Sequence, residues 1–143
     1  TRLIELLPAA LGIKNGDAKI IKNAGGVITH PFGSVVRSLL IAIYELGVEE
    51  ILVIGHTDCG VQHMDAENLL ENMRKRGISN NAIESLRYCG IDFDRWLEGF
   101  DDGCVSVAKS VELLKKHPLI PKDVRIYGFM MESISGKLSS VSE

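Results

Sequence analysis

Between residues 34 and 46 apolar side chains recur at Val35, Val36, Leu39, Leu40, Ile43 and Leu46, the spacing of one broad helical face, and Gly47 follows as a natural left-handed cap. The spacing predicts a heavily buried helix over 34–46. The period then changes: Ile51-Leu52-Val53-Ile54-Gly55 is an apolar run too short for a helix and reads as a buried strand. Two more core strands are predicted at Ala18 to Lys22, between the turns Asn15-Gly16-Asp17 and Asn23-Ala24-Gly25-Gly26, and at Val124 to Met130. Ser135-Gly136 turns the chain into a short strand over 137–141, which the turn chemistry makes antiparallel. Leu3 to Leu11 reads as short helical turns, with Pro8 beginning a new one because its ring blocks the preceding hydrogen bond. Residues 62–76 form an amphipathic helix stopped by Gly77, 81–88 a shorter one, and Asp101-Asp102 open another that runs to about Lys116, before His117-Pro118. Helices alternating with strands are the signature of an α/β fold, with a mostly parallel central sheet flanked by helices.

Composition narrows this to one ordinary domain over residues 1–143, with no repeat or linker to divide it. A chain of 143 residues buries roughly two thirds of its unfolded surface, and 45% hydrophobic with 24% charged residues is neither a disordered nor a membrane composition. The longest apolar stretch, around Val35 to Leu46, is broken by Arg37, Ser38, Tyr44 and Glu45 and falls short of the ~20 residues a membrane span needs. A net charge of −3 argues against a nucleic-acid surface, and the densest basic run, Arg74-Lys75-Arg76, fits a solvated helix end. Three cysteines, Cys59, Cys89 and Cys104, are an odd number without framework spacing, which favours a reducing cytoplasm.

Chemistry concentrates at His56-Thr57-Asp58-Cys59-Gly60, directly after the strand at 51–55. Ligands in open α/β sheets bind beyond the carboxyl ends of strands, and imidazole with thiolate is a favoured zinc pair, so His56 and Cys59 are candidate metal ligands. A catalytic zinc needs a third protein ligand, which must come from elsewhere. Gly60 is a candidate substrate-binding position, since without a Cβ its backbone admits a close approach. Gly25 and Gly26 either crowd the same crevice or only make a turn. Asp58 reads as a support to the ligands or as a solvent-facing or capping carboxylate, and His63 as a surface histidine or a proton shuttle. His30 and His117, beside prolines, read as loop residues, and Cys104, among Val105, Val107, Ala108 and Val111, as a small core hydrophobe.

Thr1-Arg2-Leu3-Ile4, Gly16-Asp17-Ala18-Lys19-Ile20-Ile21-Lys22-Asn23-Ala24-Gly25 and Gly55-His56-Thr57-Asp58-Cys59-Gly60 together resemble the β-class carbonic anhydrases, especially their small prokaryotic branch. The likeness continues through Ser110 to Lys115, Pro118-Leu119-Ile120-Pro121 and Val124 to Gly128, and so spans nearly the whole chain. In that family zinc is held by the Cys of a Cys-x-Asp-x-Arg motif and by the His and Cys of His-x-x-Cys. Arg2 matches the motif's Arg, which places the Cys and Asp before residue 1. The expectation is a chain incomplete at its N-terminus, its central first strand missing from these residues and its neighbours' edges unpaired, so that a polypeptide beginning at Thr1 is insoluble or molten. The other reading is a chain that has lost the family's chemistry; Cys89 is then the leading substitute ligand.

The resemblance implies Zn²⁺ as cofactor and reversible hydration of CO2 to bicarbonate, by attack of zinc-bound hydroxide, with no nucleic-acid or membrane partner. Arg2 is implied as a catalytic residue that orients the motif's carboxylate through a planar two-donor fork. It further implies a cytoplasmic homodimer or multiple of dimers, with active sites near the interface. Three alternatives stand beside it. They are hydrolysis of carbon disulfide or carbonyl sulfide on the same fold, a non-catalytic zinc scaffold, and a small-molecule or nucleotide binder using Asn23-Ala24-Gly25-Gly26 as a phosphate turn. The last lacks both G-x-G-x-x-G and G-x-x-x-x-G-K-[ST].

Overall fold

The computed structural model describes residues 2–141, with side chains from residue 7 to residue 141. In chain order the elements are α1 (Arg2–Leu11), a single 3-10 turn (Ala24–Gly26), α2 (Ser34–Leu46), β1 (Glu50–His56), α3 (Ala66–Lys75), α4 (Asn80–Tyr88), α5 (Phe93–Leu97), α6 (Gly103–Lys116), β2 (Arg125–Met131) and β3 (Leu138–Ser140). The fold is α/β, as expected. β1 runs parallel to β2 in register from Glu50↔Arg125 to His56↔Met131, and β3 pairs antiparallel with β2 from Phe129↔Ser140 to Met131↔Leu138.

The chain divides into two compact units, one of Thr1–Cys59 with Asp102–Glu143 and one of Gly60–Asp101. The first is built on the sheet. Ile51 and Val53 of β1 and Ile126 of β2 join Val36 and Ile43 of α2 and Val107, Val111 and Leu114 of α6 in one core. α6 approaches closely because Gly55 and Gly128 leave room for Val107: a Cβ on Gly55 would stand 2.8 Å from its Cγ2, and one on Gly128 2.9 Å from its Cγ1. Only one face of β1 is buried. Leu52 and its register partner Tyr127 are each 42% exposed.

The second unit has its own small core of Leu70, Ile83 and Phe93, against which Met73 and Leu97 pack. α3 begins four residues later than the periodicity predicts. His63 has φ 57°, outside the helical range, and the Asp65 side chain caps the helix by accepting from Glu67 N. α5 was not expected; its five residues start where Asp92 accepts from Arg95 N at 3.1 Å.

Several expectations are corrected. Residues 18–22 form no strand, because no strand lies beside them among the described residues and a ladder needs a partner. Ile20 and Ile21 are largely exposed there. Between this segment and the unpaired edge of β1 lies a cleft of about 350 Å³, walled by Leu7, Leu11, Ile21, Leu39 and Val53. α1 continues through Pro8 rather than restarting at it, and the Pro8 carbonyl still accepts from Ile13 N at 3.0 Å. α2 has the predicted ends, with Gly47 at φ 67° as its cap, but buries only Val36, Ala42 and Ile43; Leu46 and Tyr44 are exposed. Cys104 is exposed, one turn ahead of the buried stripe Val107, Val111 and Leu114. His117 does lie in a loop, at the C-cap of α6, but is buried.

Candidate metal centre

The parallel ladder carries β1 one residue past its end: Thr57 N donates to Met131 O at 3.0 Å. Asp58 then takes φ 53°, in the left-handed region, and turns the chain sharply so that Cys59 is only 8% exposed. His56 and Cys59 therefore flank a tight bend at the carboxyl end of a core strand. The His56 Nδ1 lies 2.8 Å from Thr57 O. A carbonyl only accepts, so Nδ1 is the donor of this bond and Nε2 is the ring atom left to meet a Lewis acid. Cys59 is a free thiol.

An imidazole held by a backbone carbonyl, three residues before a buried thiol, is a donor set suited to Zn²⁺. It supplies two ligands. Among the described residues no group of three or more His, Cys, Asp or Glu side chains gathers in a way that would hold a metal. Cys89, the substitute ligand considered above, is exposed at the C-cap of α4 and belongs to no such group. Arg2 opens α1, but its side chain lies outside the described residues.

Gly60 is exposed, and a Cβ there would meet no protein atom within 4 Å. Nothing in the protein itself crowds this position. Gly26 is different: it has φ 63°, and a Cβ would come within 2.9 Å of Ile54 O. The 3-10 turn thus both reverses the chain and packs against the end of β1, so the two readings of the glycine pair are joined at Gly26. Ile28 N, just beyond, donates to the buried Ser110 Oγ of α6 at 3.3 Å. His63 belongs to the other unit, where its exposed ring has Nδ1 3.1 Å from Asp101 Oδ1.

One contributor was missed from the sequence. Ser133, just after β2, donates its backbone N–H to Thr57 Oγ1 at 3.0 Å, and its Oγ lies 3.2 Å from that hydroxyl and 3.3 Å from Asp58 Oδ2. In Glu132-Ser133-Ile134-Ser135-Gly136 it looks like turn material. The available signal was the parallel pairing, which sets residues 57–58 beside 132–133 once His56 is opposite Met131.

Comparison with known proteins places these features among relatives. The family model described as carbonic anhydrase matches residues 6–138. YtiB of Bacillus subtilis (strain 168), by its name a candidate carbonic anhydrase, is 48% identical over 141 residues, covering 99% of this chain and 75% of that protein. A carbon disulfide hydrolase of Acidithiobacillus thiooxidans is 33% identical over 144 residues, covering 94% of this chain and 71% of that one. Among solved structures, the isoform I β-carbonic anhydrase of Trichomonas vaginalis superposes with a TM-score of 0.89 at 37% identity, covering 99% of this chain and 76% of that one.

Proposed function

The chain belongs to the β-carbonic anhydrase family, and from that premise we propose that it is a zinc-dependent enzyme that reversibly hydrates CO2 to bicarbonate. The observation that carries the reading is His56 Nδ1 held 2.8 Å from Thr57 O, three residues before the buried thiol of Cys59. His56 Nε2 and Cys59 Sγ are the proposed protein ligands on these residues. Bound zinc would acidify a water molecule towards neutral pH and so supply the nucleophile for CO2.

The chain's own residues have the remaining tasks. Thr57 O holds the imidazole in the ligating tautomer, the bend at Asp58 brings the thiol to the same strand end, and Gly60 leaves unobstructed backbone for a linear triatomic substrate. Arg2 is proposed to orient a carboxylate through its planar fork, a task Lys cannot copy. Self-association as a dimer or multiple of dimers is supported by the apolar side chains that α2 and the sheet leave outside, Ile41, Tyr44, Leu46, Leu52 and Tyr127. No helix of the described residues is long and apolar enough to cross a membrane. All three cysteines are unpaired, which suits the proposed cytoplasmic setting.

A second reading, hydrolysis of carbon disulfide or carbonyl sulfide, is favoured by one observation: the relatives include carbon disulfide hydrolases at 31–36% identity. The higher identity to YtiB supports CO2. Stopped-flow CO2 hydration by the zinc-loaded protein separates the two. Turnover that disappears in His56→Ala, disappears on chelation and returns with Zn²⁺ is the expected result. No turnover above buffer, with sulfide released from carbon disulfide by the same sample, would transfer the assignment to the hydrolase.

A further inference from the structure

The side chains of Thr57 and Asp58, the residues between the two proposed ligands, are both engaged from outside the ligand loop by one residue. Ser133 contacts both. Its backbone N–H donates to Thr57 Oγ1 and its own hydroxyl donates to the Asp58 Oδ2 carboxylate, so the contact between the two hydroxyls is made by the Thr57 proton on Ser133 Oγ. The result is a one-way chain of hydrogen bonds that ends on a carboxylate, the strongest acceptor type available.

Ser133 is itself fixed by its own turn. Glu132 N donates to Lys137 O at 2.9 Å, Gly136 N donates to Glu132 O at 2.9 Å, and Ser135 Oγ bonds the Glu132 carboxylate. Lys137 N in turn donates to Ser135 Oγ at 3.2 Å. The β2–β3 connection is therefore a closed turn, anchored by the antiparallel pairing at Met131↔Leu138, that presents Ser133 at a set position. What it holds is strained: Asp58 is a non-glycine residue at φ 53° and does not favour that conformation unaided. Without the clamp, the bend between His56 and Cys59 is kept by the Thr57 N bond to Met131 O, the His56 Nδ1 contact with Thr57 O and the burial of Cys59.

We infer that Ser133 is a positioning residue for metal binding: through Thr57 and Asp58 it presets the separation of His56 and Cys59 before zinc arrives. The inference rests on those two residues being the ligands. Groups that orient ligands without touching the metal typically contribute 10–100-fold to affinity. Ser133→Ala should lose that much, because the freed loop must be reordered when metal binds.

The test is competitive Zn²⁺ titration of the protein against a chromophoric chelator, with Co²⁺ absorption spectra of the same variants. The expected pattern is a roughly 10–100-fold weaker zinc affinity in Ser133→Ala. It comes with an altered Co²⁺ spectrum, an unchanged thermal melt of the metal-free protein, and affinity restored in Ser133→Thr, which keeps the hydroxyl. Thr57→Val should weaken binding too, and adding it to Ser133→Ala should cost little more, since both remove one clamp. If His56→Ala abolishes binding but Ser133→Ala leaves affinity and spectrum unchanged, the inference is overturned alone. If neither substitution changes affinity, the ligand assignment falls and the inference with it. Fully additive losses would reduce Ser133 to a contributor to the fold.

Discussion

His117 is 3% exposed and bonded through both ring nitrogens: Nε2–H donates to Pro31 O at 2.8 Å, and Nδ1 accepts from Leu119 N at 3.2 Å. Its ring also lies against Phe32, with centroids 5.2 Å apart. It pins the end of α6 to a loop 86 residues away in sequence. His117→Ala strands a carbonyl and an amide and should destabilise the protein by about 2 kcal/mol, read as a lower urea midpoint with unchanged slope. An unshifted midpoint would show that water replaces the ring without cost. His117 also marks what a sequence read residue by residue conceals. Its neighbour Pro118 identified a loop correctly, but its partner Pro31 is remote, so burial was invisible. Ser133 was hidden for the same reason. His56 and Cys59 could be proposed as ligands from the sequence because the imidazole, the bend and the thiol all lie within four consecutive residues.

Elements were readable where their signals are local. α2 ends where expected because apolar period and Gly47 cap both lie within the element. The strand expected at residues 18–22 had suitable side chains and turns on both sides, yet an extended segment becomes a strand only through a neighbour's hydrogen bonds, and no neighbour is set beside it. β1 shows the opposite case, an apolar run that suggested burial on both faces and has one. The packing of α6 on the sheet offers a sharp test. A Cβ added at Gly128 would stand 2.9 Å from Val107 Cγ1 and 3.2 Å from Val111 Cγ2, and the two further methyl groups of valine add to that crowding. Gly128→Val should cost about 1–3 kcal/mol through overpacking, despite valine's preference for strands. A thermal melt equal to the parent's would mean that α6 shifts freely.

At the scale of the whole chain, the outer edge of β1 has no strand beside it among the described residues, and the cleft along it is largely apolar. Unpaired edges template association. The protein is therefore expected to self-associate along this edge, read as a sedimentation coefficient that rises with concentration; a single monomeric species at every concentration would refute this. The same strand has a history within each round of synthesis. Glu50 and Arg125, which open the two sides of the parallel ladder, are 75 residues apart in sequence. At roughly 5–20 residues per second, β1 leaves the ribosome about 4–15 s before β2 exists to pair with it. During that interval Ile51, Leu52, Val53 and Ile54 have neither edge bonded, and the segment 60–101, complete in sequence and with a core of its own, emerges in between. The nascent chain's demand on chaperones should therefore peak between residues 56 and 125, and fall once β2 has cleared the exit tunnel.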